Sequence, residues 1–138
     1  ILLIRTFILY SFYIMEKNFT ELYTDIHNSV QAQQDPFKKF LFSTRQHVLI
    51  IFYIASQKDQ KTTLEDICYN VSPKVVSRST IQNILKEGYR IGFFDKEVNE
   101  NDKREKFYKL TSNANKLMQD WAHNQNTIFS SLNDLIKR

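Results

Sequence analysis

Between Ser77 and Lys86 the chain reads Ser-Arg-Ser-Thr-Ile-Gln-Asn-Ile-Leu-Lys, and its polar members are side chains that can read a nucleic acid. Arg78 carries the fork that matches guanine or a phosphate, and Gln82 and Asn83 carry the donor–acceptor pair that matches adenine. Ser77, Ser79, Thr80 and Lys86 can each bond a phosphate or a base edge. With Ile81, Ile84 and Leu85 facing inward, these polar residues share the exposed side of one helix. A merely solvated face would more usually alternate Glu with Lys four apart, yet no acid occurs here until Glu87. A second cluster, Asp102, Lys103, Arg104 and Lys106, suits phosphates or an arginine reaching into a narrow minor groove. Glu100 and Glu105 sit among those cations, so this cluster alone also reads as an ordinary charged hairpin.

Other chemistries find little support. His27, His47 and His123 share no metal-ligand spacing with one another, and His47, beside an apolar run, reads as a hydrogen-bonded structural histidine. Cys68 is the only cysteine, which excludes an internal disulfide and a thiolate cluster. It reads as a small inward apolar residue, since Glu65 and Asp66 oppose a thiolate. Gly88 and Gly92 are the only glycines, too few for a dinucleotide fingerprint and wrongly spaced for a phosphate loop. The expectation is a non-enzyme with no metal and no cofactor.

The two polar clusters need elements to carry them. From Glu16 onward, Phe19, Leu22, Tyr23, Ile26 and Val30 fall on one helical face, which Asp35-Pro36 breaks. Ser43 with Gln46 has capping-box spacing, ahead of a helix in which Val48, Leu49, Ile51, Phe52 and Ile54 are apolar almost all round. That pattern predicts the buried centre of the fold. Ser56 to Lys61 reads as a loop. Thr62-Thr63 then opens a short helix with a threonine hydroxyl as its cap. Asn70 to Val76, which contains Pro73, reads as a turn. Ser77 or Ser79 caps the polar-faced helix, and Ser79 with Gln82 gives a second capping-box spacing. Gly88 lies on that helix's apolar side, where the missing side chain admits a close neighbour, and Gly92 suits the left-handed residue that ends the helix. Phe93 to Val98 and Phe107 to Leu110 are short extended runs around a polar tip, a β-hairpin. Thr111 caps a last helix of about 25 residues, or ~37 Å, longer than a domain of this size needs for its own core. Its stripe is Leu117, Trp121, Ile128, Leu132 and Leu135.

The order predicts a mostly α protein with a small β-hairpin (α+β), a winged helix-turn-helix, in which a short helix braces a second helix that enters the major groove. At 138 residues and 16.5 kDa the chain allows one domain. Its charge of +4 lies mostly in residues 72–111, where nine Lys and Arg face six Asp and Glu, a bias compatible with nucleic acid. Residues 1–14 are strongly apolar with Arg5 the only charge. They are shorter than the ~20 residues a membrane span requires, and they lack the flanks of a secretory signal. Met15 is the first methionine, so the reading is that residues 1–14 are in-frame sequence preceding the translation start. The competing reading is an apolar arm packed in a dimer interface. A cytoplasmic protein without membrane contact is expected.

The stretch from Thr63 to Thr111 resembles the MarR family of bacterial transcriptional regulators. The family's wing motif, Asp-x-Arg followed by a strand ending in Leu-Thr, is matched by Asp102-Lys103-Arg104 and Leu110-Thr111. Ser77-Arg78-Ser79-Thr80 matches the family's Ser-Arg-x-Thr, and Gly92-Phe93-Phe94 is similar to its Gly-Leu-Ile exit. The family's glycine after Leu-Thr is absent, with Asn113 and Ala114 there instead. The turn before the reading helix looks a few residues long, which adds Lys74 to the candidate DNA contacts. The resemblance implies that Arg104 reaches the minor groove while Asp102 holds the wing. It also implies a homodimer paired through the first and last helices. The expected units are dimerisation helices over 16–34 and 112–137 and a winged-helix domain over 37–111, within one unit over 15–138. The dimerisation candidates are Phe19, Leu22, Ile26, Leu117, Trp121, Ile128, Leu132 and Leu135. Half-sites would lie about 34–36 Å apart on a roughly palindromic double-stranded operator. The functional expectation is a sequence-specific repressor, with a small aromatic effector as a further candidate partner. A winged-helix module that binds an acidic protein instead of DNA is the alternative.

Overall fold

The computed structural model describes residues 1–32, 34–57 and 61–136, without the side chains of residues 131, 132, 135 and 136. Its elements are α1 (Leu2–Gln31), α2 (Pro36–Leu41), α3 (Arg45–Ser56), β1 (Thr62–Thr63), α4 (Leu64–Asn70), α5 (Arg78–Arg90), β2 (Phe94–Val98), β3 (Lys106–Leu110) and α6 (Ser112–Ile136). Of the expected loop from Ser56 to Lys61, residues 58–60 lie outside the described residues.

Each helix from α2 to α5 starts on a side-chain cap that satisfies otherwise unpaired N–H groups. At α4 the capping box is closed in both directions: Asp66 N donates to Thr63 Oγ1 and Thr63 N donates to Asp66 Oδ2, both at 3.0 Å. At α5 the cap is Ser77, whose Oγ accepts from Thr80 N at 3.2 Å, so the expected Ser79–Gln82 box does not form. At α3 the cap is Thr44 and not Ser43. Thr44 has the extended backbone a cap requires, and its Oγ1 accepts from His47 N at 3.2 Å. Gln46, freed from the box, donates to the Val75 carbonyl at 2.9 Å and ties α3 to the turn before α5. Asp35-Pro36 starts a helix as well as ending one: Asp35 accepts from Phe37 N and Lys38 N, and Pro36 occupies the first turn of α2.

The expected hairpin is present, with β2 and β3 antiparallel from Phe94↔Leu110 to Val98↔Lys106. A third strand, not anticipated from sequence, joins its other edge: β1 pairs Thr62↔Tyr108 and Thr63↔Phe107, giving the order β1-β3-β2. Gly92 has φ +82°, the left-handed conformation expected at the end of α5. Gly88 sits under Phe94, and a Cβ there would run into Cδ2 and Cε2 of that ring.

The core gathers Ile50, Ile51 and Ile54 of α3, Ile67 of α4, Ile81, Ile84 and Leu85 of α5, and Phe93, Phe94 and Leu110 of the sheet. Phe40 of α2 packs its ring edge-on to Phe94 and tilted against Phe93. The α3 expectation is corrected in part: one face is fully buried, whereas Leu49 is exposed and Val48 and Phe52 are only half-buried.

The two long helices form an arm. Asp25 accepts from Asn124 Nδ2 at 2.9 Å and Gln125 Nε2 at 3.0 Å, and Phe19 packs on Phe129 with ring centroids 6.1 Å apart. These pairings run α1 antiparallel to α6. The helix α1 begins at Leu2 instead of near Glu16, because its first turns are apolar all round and offer no stripe to read. Leu2, Leu3, Ile4, Phe7 and Leu9 are all exposed. Among the described residues no helix is long and apolar enough to cross a membrane.

Candidate nucleic-acid interface

The helix α5 separates its residues sharply. Ile81, Ile84, Leu85 and Gly88 are buried, while Arg78, Ser79, Gln82, Asn83 and Lys86 are exposed on the other side. Ser77 Oγ, besides capping the helix, lies 2.9 Å from Thr80 Oγ1 and 3.2 Å from Ser79 Oγ. The three hydroxyls therefore form one small network at the helix start, with Thr80 half-buried in it. Lys74 lies in the exposed turn that precedes α5, where its backbone N donates to Ser72 Oγ.

The tip between β2 and β3 is shaped by Asp102. Its Oδ1 accepts from Arg104 N at 3.1 Å and stands 3.6 Å from Arg104 Nε, so one carboxylate both turns the chain and faces the guanidinium. Asn99 N donates to the Glu105 carbonyl at 3.0 Å, and Glu105 N to the Asp102 carbonyl at 2.9 Å, closing the base of the tip. Lys103, Arg104 and Lys106 are exposed, and the Arg104 side chain is almost wholly in solvent.

Arg78, Asp102, Arg104 and Lys106 meet around a cleft of about 350 Å³ between the start of α5 and the wing, whose remaining walls are Thr63, Leu64, Glu65, Glu105 and Tyr108. Gln82, Asn83 and Lys86 continue along α5 away from it. Three of the cleft residues, Tyr108, Glu105 and Glu65, were not among the candidates chosen from the sequence. Tyr108 is half-buried, and burial pushes its phenol up. Glu105 stands among the wing cations, and Glu65 is the partner of Arg78. Arg78 Nη1 donates to Glu65 Oε2 at 3.1 Å, and Nη2 pairs with Oε1. The hydrogen bond from Arg78 holds the Glu65 carboxyl below the usual carboxylate range. The same guanidinium lies 3.9 Å from Cys68 Sγ, so a cation as well as the two expected acids borders that half-buried thiol.

The dimerisation candidates divide by exposure. Phe19 and Ile26 are exposed, as are Tyr23 and Val30 on the same face of α1. Leu22, Leu117 and Trp121 are half-buried within their own chain, and Ile128 is buried there. The side chains of Leu132 and Leu135 lie outside the described residues. Trp121 packs edge-on to Phe52 at 5.3 Å, and its Nε1–H is buried without a partner.

A braced helix with a polar outer face, followed by a two-stranded wing, defines a winged helix-turn-helix. Solved structures of S. aureus MepR mutants share it. A mutant with leucine in place of a phenylalanine, bound to an oligodeoxyribonucleotide, matches with a TM-score of 0.51 at 20% identity, over 86% of this chain and 80% of that one. A mutant with lysine in place of a glycine matches with a TM-score of 0.51 at 18% identity, over 96% and 79%. A third, from a multidrug-resistant clinical isolate, has proline in place of a glutamine and matches with a TM-score of 0.50 at 20% identity, over 86% and 80%. The fold of this chain is the winged-helix fold of these MepR structures. No protein-family model matches the chain, and no curated protein sequence is similar to it.

Proposed function

We propose that this chain is a MarR-type, sequence-specific regulator of transcription that binds double-stranded DNA as a homodimer and acts as a repressor. The helix α5 enters the major groove, with Arg78, Gln82, Asn83 and Lys86 toward base edges and phosphates, and the wing places Arg104 in the minor groove. The observation that carries the reading is the division of α5. Its inner residues fill the core, and Gln82, Asn83 and Lys86 on its outer side have no side-chain partner among the described residues. The MepR mutant bound to an oligodeoxyribonucleotide, which shares this fold, is consistent with such a surface.

Dimerisation is supported by α1, where Tyr23, Ile26 and Val30 keep an apolar stripe in solvent, with Phe19 still half exposed at its edge beside Phe129 of α6. A contiguous exposed apolar face of this kind marks an interaction surface. For an effector, the favoured seat is a cleft of about 340 Å³ between α1, α2 and α6. Phe42, Leu117 and Trp121 give it apolar walls for a small aromatic ligand, and Lys38, Asp25 and Asp120 give it a polar rim.

A selection from random duplexes, followed by anisotropy titration of the winner and a scrambled control over a salt series, tests the reading. The expected result is a preference of at least ~10³-fold for the selected site, with affinity falling steeply as salt rises. Equal, weak binding to both duplexes would overturn it and favour a protein partner for the wing.

A further inference from the structure

Arg78 is a poor choice for the local stability of α5. It stands at the first position of that helix, where the macrodipole disfavours a cation. Its partner comes from another element: Glu65, in the first turn of α4, presents both carboxylate oxygens to both terminal nitrogens of the guanidinium. This is the two-bond geometry in which an arginine grips a phosphate or the edge of guanine. One edge of a guanidinium cannot hold both partners at once.

We propose that Glu65 is an internal competitor for Arg78, occupying in the DNA-free protein the guanidinium edge that DNA engages, so that each duplex must displace it. The inference rests on the DNA-binding reading above and adds a residue that limits affinity. The pair is open to exchange, since both side chains are more than half exposed. Exposed ion pairs contribute little, equivalent to roughly 1.5- to 5-fold in an equilibrium, so the competitor lowers affinity without blocking it. Because Arg78 keeps the Glu65 carboxyl below its usual range, the competitor stays ionised at neutral pH.

The test is a double-mutant cycle in DNA binding, using wild type, Glu65→Ala, Arg78→Ala and the double variant, with Glu65→Gln as a second probe that keeps the side chain's shape. Anisotropy titrations at one fixed salt concentration use the selected duplex and the scrambled one. Glu65→Ala is expected to tighten binding to both by about 2- to 5-fold. In the Arg78→Ala background the same change is expected to alter affinity by less than about 1.5-fold. Weaker binding by Glu65→Ala, with its unfolding midpoint unchanged, would overturn the proposal and make Glu65 a positioning residue for Arg78. A gain that persists undiminished without Arg78 would also overturn it, since simple repulsion of phosphates then accounts for the effect. Absence of binding by the wild type itself is a different failure, that of the DNA-binding reading.

Discussion

The winged-helix body and the α1–α6 arm are both mostly helical, yet they treat their surfaces in opposite ways. In the body the buried set is apolar apart from Thr62 and Thr63, and its helices begin on side-chain caps. In the arm the buried residues include Asn18 and Ser29 beside Ile14 and Ile128, and the Nδ2 of Asn18 has no hydrogen-bond partner. The arm also leaves Phe19, Tyr23, Ile26 and Val30 in water. The arm packs its two long helices on each other and still leaves an apolar stripe exposed, the kind of surface that marks an interaction site.

The largest effect that could break this comparison lies in the core. Ile54→Ala, at a fully buried site, is expected to cost ~2–5 kcal/mol in urea unfolding. Phe19→Ser with Ile26→Ser should leave the body's unfolding transition within ~0.5 kcal/mol. The same double change should shift the protein to monomer in sedimentation equilibrium. Equal losses of stability from the two experiments would show that the arm is part of the core after all.

A smaller effect concerns the tightest contact in the body. Gly88→Ala places a methyl group against the Phe94 ring, so an overpacking cost of ~1–3 kcal/mol works against a helix-propensity gain of ~1 kcal/mol. A net loss of up to about 2 kcal/mol in the same unfolding assay is expected. Thr63→Ala should cost ~1 kcal/mol by opening the capping box of α4, with Thr63→Ser restoring most of it.

The smallest effect is a pH dependence. Burial holds the His47 imidazole below its ordinary value, although Glu87 pulls it the other way. The folded state therefore favours neutral His47, and the unfolded state takes up the proton first. His47 supports stability fully above the ordinary histidine range and progressively less as pH falls through it. Unfolding midpoints should drop on going from about pH 7 to about pH 5 in wild type, and by less in His47→Gln. Identical pH profiles would remove His47 from the account.

Sequence and structure agree most where a signal is local and steric. Gly92 had to supply a positive φ, Gly88 had to leave room for a ring, and Ser77 and Thr63 stood at the start of clear helical stripes. The disagreements have equally definite causes. The helix α2 has six residues, too short to show a period, and its start signal Asp35-Pro36 was also a stop signal for the helix before. The strand β1 has two residues and no alternation to read. Ser43 and Thr44 carry the same capping chemistry, and only the extended backbone of Thr44 decides between them. At the interface, the polar face of α5 could be read from spacing alone. The engagement of Arg78 by Glu65 could not, because it joins residues thirteen apart across the turn between two helices.

Thr63 belongs to two structures at once, pairing with Phe107 as part of the sheet and closing the cap of α4 with its hydroxyl. So slight a strand adds little stability, but it welds the inner edge of the wing to the helix that braces α5. In the proposed complex, a wing that shifts along the minor groove pulls on the root of α4 and so on the tilt of the helix in the neighbouring major groove. Each protomer then behaves as a rigid calliper set to one groove-to-groove distance.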